Sequence, residues 1–266
     1  DGKASAARGA PCTMGTMKIV SAENTERGGK QVLVSKFELT EEMIEQFYRE
    51  GYFYARGFIT QEAVNAILEE HVSFAEESGT QEWKSKGFNN LEKARAEVPR
   101  TVSVLTDPHL TRIFERILGG DVKFWLGMFA VVPPGGRGLE WHQDNQYTHI
   151  LGHMLNAFIA LDRITQENGG LWIAPRSHFG LQPNLNPDPN AHRRAPEPPN
   201  GVPCEPLNPG DAIVFHRELL HHSKENRTDK PRCAYAFQVA SAACRYGKTG
   251  KLLEDRELLS AYARQS

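Results

Sequence analysis

The chain has 266 residues and a formal net charge of −2 at pH 7, because 31 lysine and arginine residues nearly balance 33 aspartate and glutamate residues. A nearly neutral chain has no long-range attraction for nucleic acid or for an anionic membrane, so we expect neither as a partner. The sequence has no run of about 18 apolar residues and no apolar block at its start, so we expect a soluble, cytoplasmic protein.

The domain organisation follows from composition. Residues 1–16 are rich in Ala, Gly and Ser and have no periodic apolar face, so we expect a disordered arm or a remnant of cloning there. Residues 17–266 fit one domain with a single core. The cysteines are too few and too irregularly spaced for a disulfide framework or a zinc site, so we expect reduced thiols at Cys12, Cys204, Cys233 and Cys244.

Three segments in the first half of the chain have apolar residues at helical spacing, with polar capping residues before them and glycines after them. The first predicted helix follows Thr40 and stops at Gly51, and the second begins at Thr60 and stops at the Ser78-Gly79 break. The third begins at Asp107-Pro108 and stops at Gly119-Gly120. Each predicted helix has an apolar face, which we expect to pack against another part of the protein.

From Asp121 onward the pattern changes to short runs rich in β-branched and aromatic residues, separated by Gly, Pro and Asn. The predicted strands lie in VKFWLGMFAVV, HMLNAFIALD, LWIAP, DAIVFH and CAYAFQVA. Repeated short strands of this kind predict a jelly roll or a related barrel. We therefore expect a mainly β fold with flanking α-helices.

One segment, residues 181–206, is too rich in proline for regular structure. It is either a solvated insertion or a lid that closes over a substrate at the rim of the barrel. In the second case His192, Arg193 and Arg194 would give the lid a positive tip.

The stretch WHQDNQYTH places two possible metal ligands, His142 and Asp144, two residues apart. In a strand, residues two apart point to the same face, so both side chains can project into a barrel while Gln143 faces away. A mononuclear iron site of the oxygenase type needs one more histidine to complete a facial triad.

Candidates for that histidine lie in VFHRELLHHSKENR, where His216 continues a strand and His221 or His222 begins the next polar stretch. A barrel can bring His221 to Asp144 only if their strands are neighbours in space. Arg232 lies on the following strand, and its guanidinium is suited to a bidentate clamp on a carboxylate.

Four stretches of the chain resemble the phytanoyl-CoA dioxygenase (PhyH) family of Fe(II)/2-oxoglutarate oxygenases. They are HQD at His142 to Asp144, ENGGLWIAPRSH at Glu167 to His178, PGD at Pro209 to Asp211, and LHHSKENRTDKPRCA at Leu220 to Ala234. The resemblance runs from about Phe37 to Ser241, and it implies a double-stranded β-helix, a jelly-roll or cupin-like barrel, with helices packed on one sheet.

Residue by residue, the resemblance implies iron ligands at His142, Asp144 and His221, with His216 and His222 structural. It implies that Arg232 binds the far carboxylate of 2-oxoglutarate. The other cofactor-binding positions that we expect are Arg100, Met128, Gln143 and Phe158. No catalytic residue is expected beyond the metal ligands.

The activity implied by the resemblance is oxidation of an unactivated C–H bond with 2-oxoglutarate and O2 as co-substrates, releasing succinate and CO2. Asp144 fills the coordination position that chloride takes in halogenating relatives, which favours hydroxylation. Ascorbate is expected to enhance the activity. Since HRR at 192–194 is a small landing area for the phosphates of a coenzyme A ester, we favour a small polar metabolite or a natural-product intermediate.

Residues near the HxD motif, together with one tryptophan on the facing strand, are candidates to line the substrate pocket or its rim. They are Arg137, Glu140, Trp141, Asn145, Gln146, Tyr147 and Trp172.

Two other classes of protein could use the same residues. A jelly-roll hydrolase or isomerase could hold zinc or another divalent ion with the same ligands, but it has no need for Arg232. A non-catalytic barrel that binds a small molecule would use the His/Asp pair as ordinary hydrogen-bonding groups and would bind no metal.

Overall fold

The computed structural model describes residues 33–76, 83–188 and 190–263, and the predicted arm at 1–16 lies outside them. The helices are α1 (Glu41–Glu50), α2 (Gln61–Glu76), α3 (Leu91–Glu97), α4 (Pro99–Leu105), α5 (Pro108–Leu118) and α6 (Leu259–Ala263). Short 3-10 helices cover Asp144–Gln146 and Ser177–Phe179. No helix in the described parts of the chain is long and apolar enough to cross a membrane.

The structure confirms the three predicted helices as α1, α2 and α5. In α1 the Thr40 side chain accepts a hydrogen bond from Met43 N, and Gly51 ends the helix with a left-handed backbone at φ 90°. The predicted stop of α2 at Ser78-Gly79 falls outside the described residues. Sequence reasoning missed α3 and α4, which are only two turns long and separated by Val98.

The strands are β1 (Tyr52–Ala55), β2 (Lys84–Phe88), β3 (Val122–Val132), β4 (Ile150–Leu151), β5 (Met154–Ala160), β6 (Leu171–Ile173), β7 (Val202–Pro203), β8 (Ala212–His216), β9 (His221–Ser223), β10 (Arg232–Ser241) and β11 (Arg245–Tyr246). They form a six-stranded antiparallel sheet in the order β1-β8-β5-β10-β3-β2, a three-stranded sheet β7-β6-β9, and the pair β11-β4. The chain thus has the predicted double-stranded β-helix fold, with two short edge strands, β1 and β2, that sequence reasoning missed.

The six-stranded sheet separates two environments, because successive side chains of a strand point to opposite faces. In β10, Cys233, Tyr235 and Phe237 belong to the apolar core that the helices cover. Ala236 and Gln238, on the other face, line a cavity inside the barrel. The helical face supplies burial, and the opposite face is left for a ligand.

The three-stranded sheet brings the HxD motif to the far histidine. A two-residue antiparallel bridge joins His142 to His221, with His142 N donating to His221 O (3.0 Å) and His221 N donating to His142 O (3.1 Å). The two histidines are therefore neighbours across a strand pair, as the barrel hypothesis required.

Two local predictions need correction. His142 and Asp144 do not share a strand, because Asp144 begins a 3-10 helix; the intervening Gln143 is extended (φ −119°, ψ 134°), so both flanking side chains still reach one side. Segment 181–206 is not wholly irregular, because β7 within it pairs with β6.

Candidate metal centre and cavity

Three buried side chains, His142, Asp144 and His221, converge inside the barrel. Their possible ligand atoms lie within 4.8 Å of one another. Asp144 Oδ1 is 4.0 Å from His142 Nε2 and 3.8 Å from His221 Nε2. Two imidazole nitrogens and one carboxylate oxygen grouped in this way could hold a divalent metal on one face and leave its other positions open.

The backbone fixes the orientation of both imidazoles. His142 Nδ1 lies 2.7 Å from Glu140 O, and His221 Nδ1 lies 2.9 Å from Leu219 O. Because a carbonyl only accepts, each Nδ1 must carry the proton and each Nε2 presents its lone pair to the centre. Carbonyl partners of this kind orient metal-binding histidines.

Two amides hold the carboxylate. Asn156 and Gln238 face each other on β5 and β10, and their side chains donate to Asp144 Oδ2 at 3.1 and 3.0 Å. Oδ2 is thereby satisfied, and Oδ1 is the oxygen that remains near the two histidines. The amides therefore set which carboxylate oxygen a metal would bind.

Electrostatics at the centre favour a metal over protons. Burial, followed by the neighbouring His221, lowers the pKa of His142, so its imidazole is neutral near pH 7. A neutral imidazole is the form that binds a metal. The donor set, its burial and the neutral His142 fit a divalent cation.

Arg217 forms hydrogen bonds with Asp144 and with one of the two amides that hold it. Its Nη1 donates to Gln238 Oε1 (2.8 Å), and its Nη2 donates to the backbone oxygen of Asp144 (3.3 Å). Burial lowers the pKa of Arg217 to about 10, which leaves the guanidinium charged at neutral pH. A chain of hydrogen bonds thus runs from a buried cation through an amide to the candidate metal ligand.

A cavity of about 490 Å³ adjoins the centre. Its wall includes all three candidate ligands and, on the six-stranded sheet, Met128 and Phe158. Both were expected at the 2-oxoglutarate pocket, and the structure brings them to the same cavity as the metal centre.

Arg232 also lines this cavity and is buried, with 2% of its surface exposed. Its Nη2 donates to Gly169 O at 3.0 Å, its Nε has no hydrogen-bond partner, and no ion pair among the described residues includes it. Burial lowers its pKa to about 10, so it remains a cation. The charge of Asp162 partly opposes this lowering, although no ion pair joins the two side chains. A buried guanidinium without an ion-pair partner is costly, which indicates that it is built to receive an anion.

Two expected cofactor-binding residues do not line the cavity. Arg100 lies on the exposed side of α4 and pairs with Glu69, so it is a surface residue. Gln143 points the other way from its neighbours, and its amide donates to Gly180 O and Glu218 O at 2.9 and 2.5 Å. Both assignments are corrected, because each side chain is committed to other partners.

Of the expected substrate residues, Tyr147 alone lines the cavity. Trp141 packs in a small apolar cluster with Ala174 and Leu220, and Asn145 bonds Ile150 and Glu218. The other four lie outside the cavity. Arg137 and Glu140 are exposed, and the Gln146 amide donates to the backbone oxygens of residues 182 and 183. The Trp172 ring lies against His222, with ring centroids 5.6 Å apart. Proximity in sequence to the HxD motif therefore did not predict the cavity wall, because most of these side chains are exposed or committed to other partners.

Sequence reasoning missed the two amides that hold Asp144. Asn156 and Gln238 were visible as single polar residues in the otherwise apolar strands MLNAFIA and CAYAFQVA. A lone amide within a buried strand needs a hydrogen-bond partner. That need was the available signal, although it does not identify the partner.

Comparison with known proteins identifies the family of this chain. The family model for phytanoyl-CoA dioxygenase (PhyH) matches residues 47–234. Phytanoyl-CoA dioxygenase domain-containing protein 1 of Bos taurus is 28% identical over an alignment of 172 residues, and the match covers 59% of this chain and 59% of that protein. Dioxygenase trt7 of Aspergillus terreus is 31% identical over 149 residues, covering 52% of this chain and 48% of that protein. The chain thus matches about half to three fifths of the length of these curated relatives.

Solved structures show the same fold. EvdO2 from Micromonospora carbonacea var. aurantiaca, complexed with 2-oxoglutarate, has a TM-score of 0.66 and 22% identity, covering 80% of this chain and 95% of that one. The α-ketoglutarate-dependent carbocyclase SnoK from nogalamycin biosynthesis has a TM-score of 0.65 and 19% identity, covering 85% and 97%.

Proposed function

Because this chain belongs to the phytanoyl-CoA dioxygenase family, we propose that it is an Fe(II)- and 2-oxoglutarate-dependent dioxygenase. Its reaction is hydroxylation, or a related oxidation, of an unactivated C–H bond in a small polar metabolite or natural-product intermediate. The observation that carries the proposal is that one cavity contains both the three-ligand centre and the buried Arg232, which forms no ion pair among the described residues.

The protein's part in this reaction is to bind and to orient. His142 Nε2, His221 Nε2 and Asp144 Oδ1 would hold the iron, while Arg232 would hold the far carboxylate of 2-oxoglutarate. When bound, iron, 2-oxoglutarate and O2 supply the oxidation, which inserts one oxygen atom into the C–H bond and leaves the other in succinate, with CO2 released. Because Asp144 supplies the third ligand, the site has no vacancy for chloride, and this supports hydroxylation over halogenation.

Met128 and Phe158 would flank the carbon chain of 2-oxoglutarate. Both lie between Arg232 and the metal centre along the sheet, since Ala236 of β10 pairs with Met128 on one side and with Phe158 on the other. The Phe158 ring centroid is 5.6 Å from the Arg232 guanidinium. Their side chains would exclude water from the ion pair and so strengthen it.

We place a lid at segment 181–206. His192 of this segment lines the cavity, and its Nδ1 lies 3.2 Å from the Tyr147 hydroxyl. The Arg193 guanidinium lies over the Tyr147 ring at 5.4 Å. These contacts attach the segment to the residue that follows the metal-binding turn, where it would cover bound substrate.

The test is turnover of 2-oxoglutarate. Purified protein with Fe(II), ascorbate and O2 should form succinate from 2-oxoglutarate, slowly without substrate and faster with it. His221→Ala should abolish succinate formation, whereas His149→Ala, an exposed histidine of the same motif region, should not. Turnover that survives His221→Ala would refute the ligand assignment.

The same measurement separates the alternatives. A metal-dependent hydrolase or isomerase would bind a divalent ion but consume neither 2-oxoglutarate nor O2. A non-catalytic barrel would bind no metal at this centre. The buried Arg232 favours the oxygenase, because 2-oxoglutarate supplies a carboxylate for it, whereas the hydrolase or isomerase has no need for this cation.

A further inference from the structure

The cavity has more positive than negative charge in its wall. Arg217, Arg232 and Arg256 line it, and Asp144 is the only carboxylate among the described residues that do. Asp255 offsets part of this excess, since its Oδ2 lies 3.6 Å from Arg256 Nε at the surface. If the proposed function holds, Fe(II) and 2-oxoglutarate carry equal and opposite formal charges, so loading both leaves the excess in place.

The surplus charge lies away from the proposed 2-oxoglutarate site. Along β10, Arg232 pairs with Val132, while Gln238 pairs with Leu126, the neighbour of Trp125. Six residues of strand separate Arg232 from Gln238, which is about 20 Å. Gln238 bonds Asp144, so this second end of the strand lies beside the metal centre, and the cavity-lining residues Trp125, Arg217 and Arg256 lie there.

Two guanidinium groups meet at Trp125 at this second end. The carbon of the Arg217 guanidinium is 4.8 Å from the Trp125 ring centroid, and that of Arg256 is 4.4 Å from it. Placing two cations on one indole concentrates positive charge that the ring alone only partly offsets.

The two arginines differ in how far their donors are committed to the protein. Both terminal nitrogens of Arg217 donate to the protein, at Gln238 and at the backbone of the metal-binding turn. Arg256 Nη1 donates to Asn89 O at 2.9 Å, Nε lies 3.6 Å from Asp255 Oδ2, and the side chain also bonds the Tyr246 hydroxyl, which together occupy fewer than its five N–H donors. Arg256 therefore has donors left for a ligand, and its side chain is still 16% exposed.

The wall next to Trp125 and Arg217 includes Leu126, which follows Trp125 on β3, and Tyr147, which precedes Thr148, whose backbone oxygen accepts from Arg217. Such a surface suits an apolar body, while a guanidinium next to it suits an anionic group.

We propose that the substrate is a small organic anion with an apolar or aromatic body, and that Arg256, supported on Trp125 beside Arg217, binds its carboxylate, phosphate or sulfonate group. This inference rests on the proposed function, and it names the charge class of the substrate and the residue that selects it. Arg256 is a binding residue at the end of the cavity opposite Arg232, so two different arginines hold the two organic anions of the reaction.

The test uses probes that differ only in charge. A series of phenylalkanesulfonates with chains of different length is compared with the matching methyl sulfones, which are neutral and similar in shape. Sulfonates are weak metal ligands, so they report on the arginines and not on the iron. Binding is measured by calorimetry under anaerobic conditions, on protein saturated with Fe(II) and 2-oxoglutarate so that Arg232 is occupied.

At least one sulfonate should bind about tenfold or more tightly than its sulfone, the gain expected for a charge-assisted hydrogen bond. Arg256→Gln should remove most of this preference and leave 2-oxoglutarate binding unchanged, while Arg256→Lys should retain part of it. Arg245→Gln, an exposed arginine outside the cavity, should retain all of it. Rising salt should weaken sulfonate binding and leave sulfone binding unaffected.

Each failure has its own meaning. If the protein binds no Fe(II) and 2-oxoglutarate, the proposed function fails. If both bind and no sulfonate exceeds its sulfone on the wild-type protein, the anionic substrate class is overturned, whatever the variants do. If the preference persists in Arg256→Gln, Arg256 is not the residue that selects charge.

Discussion

Replacing Asn156 with leucine should weaken metal binding without weakening the fold. Asn156 Nδ2 is one of two amide donors to Asp144 Oδ2, whereas its own Oδ1 is buried without a hydrogen-bond partner. Leucine has the same number and branching of side-chain heavy atoms, and it removes both polar groups together.

The two effects on stability oppose each other. Losing a hydrogen bond to a charged group costs about 1.5 to 3 kcal/mol, and removing a buried acceptor without a partner recovers about 1 to 3 kcal/mol. With central values of about 2 kcal/mol each, the two effects nearly cancel, and the free energy of unfolding of the metal-free protein should change by between a gain of about 1.5 and a loss of about 2 kcal/mol. Metal affinity should fall roughly ten- to a hundredfold, as expected when a group that orients a ligand is lost.

Gln238→Leu is the matched variant. It removes the other donor to Asp144, and it also leaves Arg217 Nη1 without its acceptor, Gln238 Oε1. We expect a similar loss of metal affinity together with a loss of about 1 to 3 kcal/mol in stability, since a buried charged donor is left unpaired.

The assay combines Mn(II) titration by calorimetry, in the presence of 2-oxoglutarate, with urea unfolding of the metal-free proteins. Metal affinity within about twofold of wild type in Asn156→Leu would show that the amides do not position the carboxylate, since a tenfold effect is about 1.4 kcal/mol. Equal stability losses in both variants would contradict the role given to Arg217.

Three further outcomes are expected. Arg232→Ala should raise the Michaelis constant for 2-oxoglutarate roughly 30- to 900-fold, as loss of a buried charge pair costs about 2 to 4 kcal/mol, with exposed Arg163→Ala as control; an unchanged constant would remove the clamp from Arg232. Gly138→Ala should lower both the melting temperature and metal affinity, because a Cβ there would lie 2.0 Å from Ser223 O on the strand of His221; a wild-type melting temperature would contradict this. Burial, then His178 and His153, lower the pKa of His216 to about 3. As the pH drops below about 6.5, the unfolded state therefore takes up the proton first, and the free energy of unfolding falls. In urea unfolding, the free energy of unfolding of His216→Gln should fall less steeply with pH in this range, by about 1.4 kcal/mol per pH unit, and a slope equal to that of the wild type would refute this reasoning.

Local chemistry made parts of the fold readable from sequence. The caps at Thr40 and Gly51 define α1 by hydrogen bonds within a few residues, and the alternation in VKFWLGMFAVV identifies β3. Strand order could not be read in this way, because β8 lies between β1 and β5 through pairings far apart in the chain. The HxD motif was visible in the sequence because it too is a local feature, although its backbone at Asp144 is a 3-10 turn and not a strand.

The site divides along the same line. His142, Asp144 and His221 could be named because their types and their resemblance to a family motif are local features. Arg256 could not be named, since it lies after the last long strand and reaches the cavity only through its packing on Trp125. Residues that complete a pocket from distant segments need the three-dimensional fold to identify them.

A crystal structure of the protein grown anaerobically with Fe(II) and 2-oxoglutarate tests the central claim most directly. We predict one iron bonded to Nε2 of His142, Nε2 of His221 and Oδ1 of Asp144, with 2-oxoglutarate on the iron and its far carboxylate on Arg232. Iron bound elsewhere, or 2-oxoglutarate held without Arg232, would contradict the account.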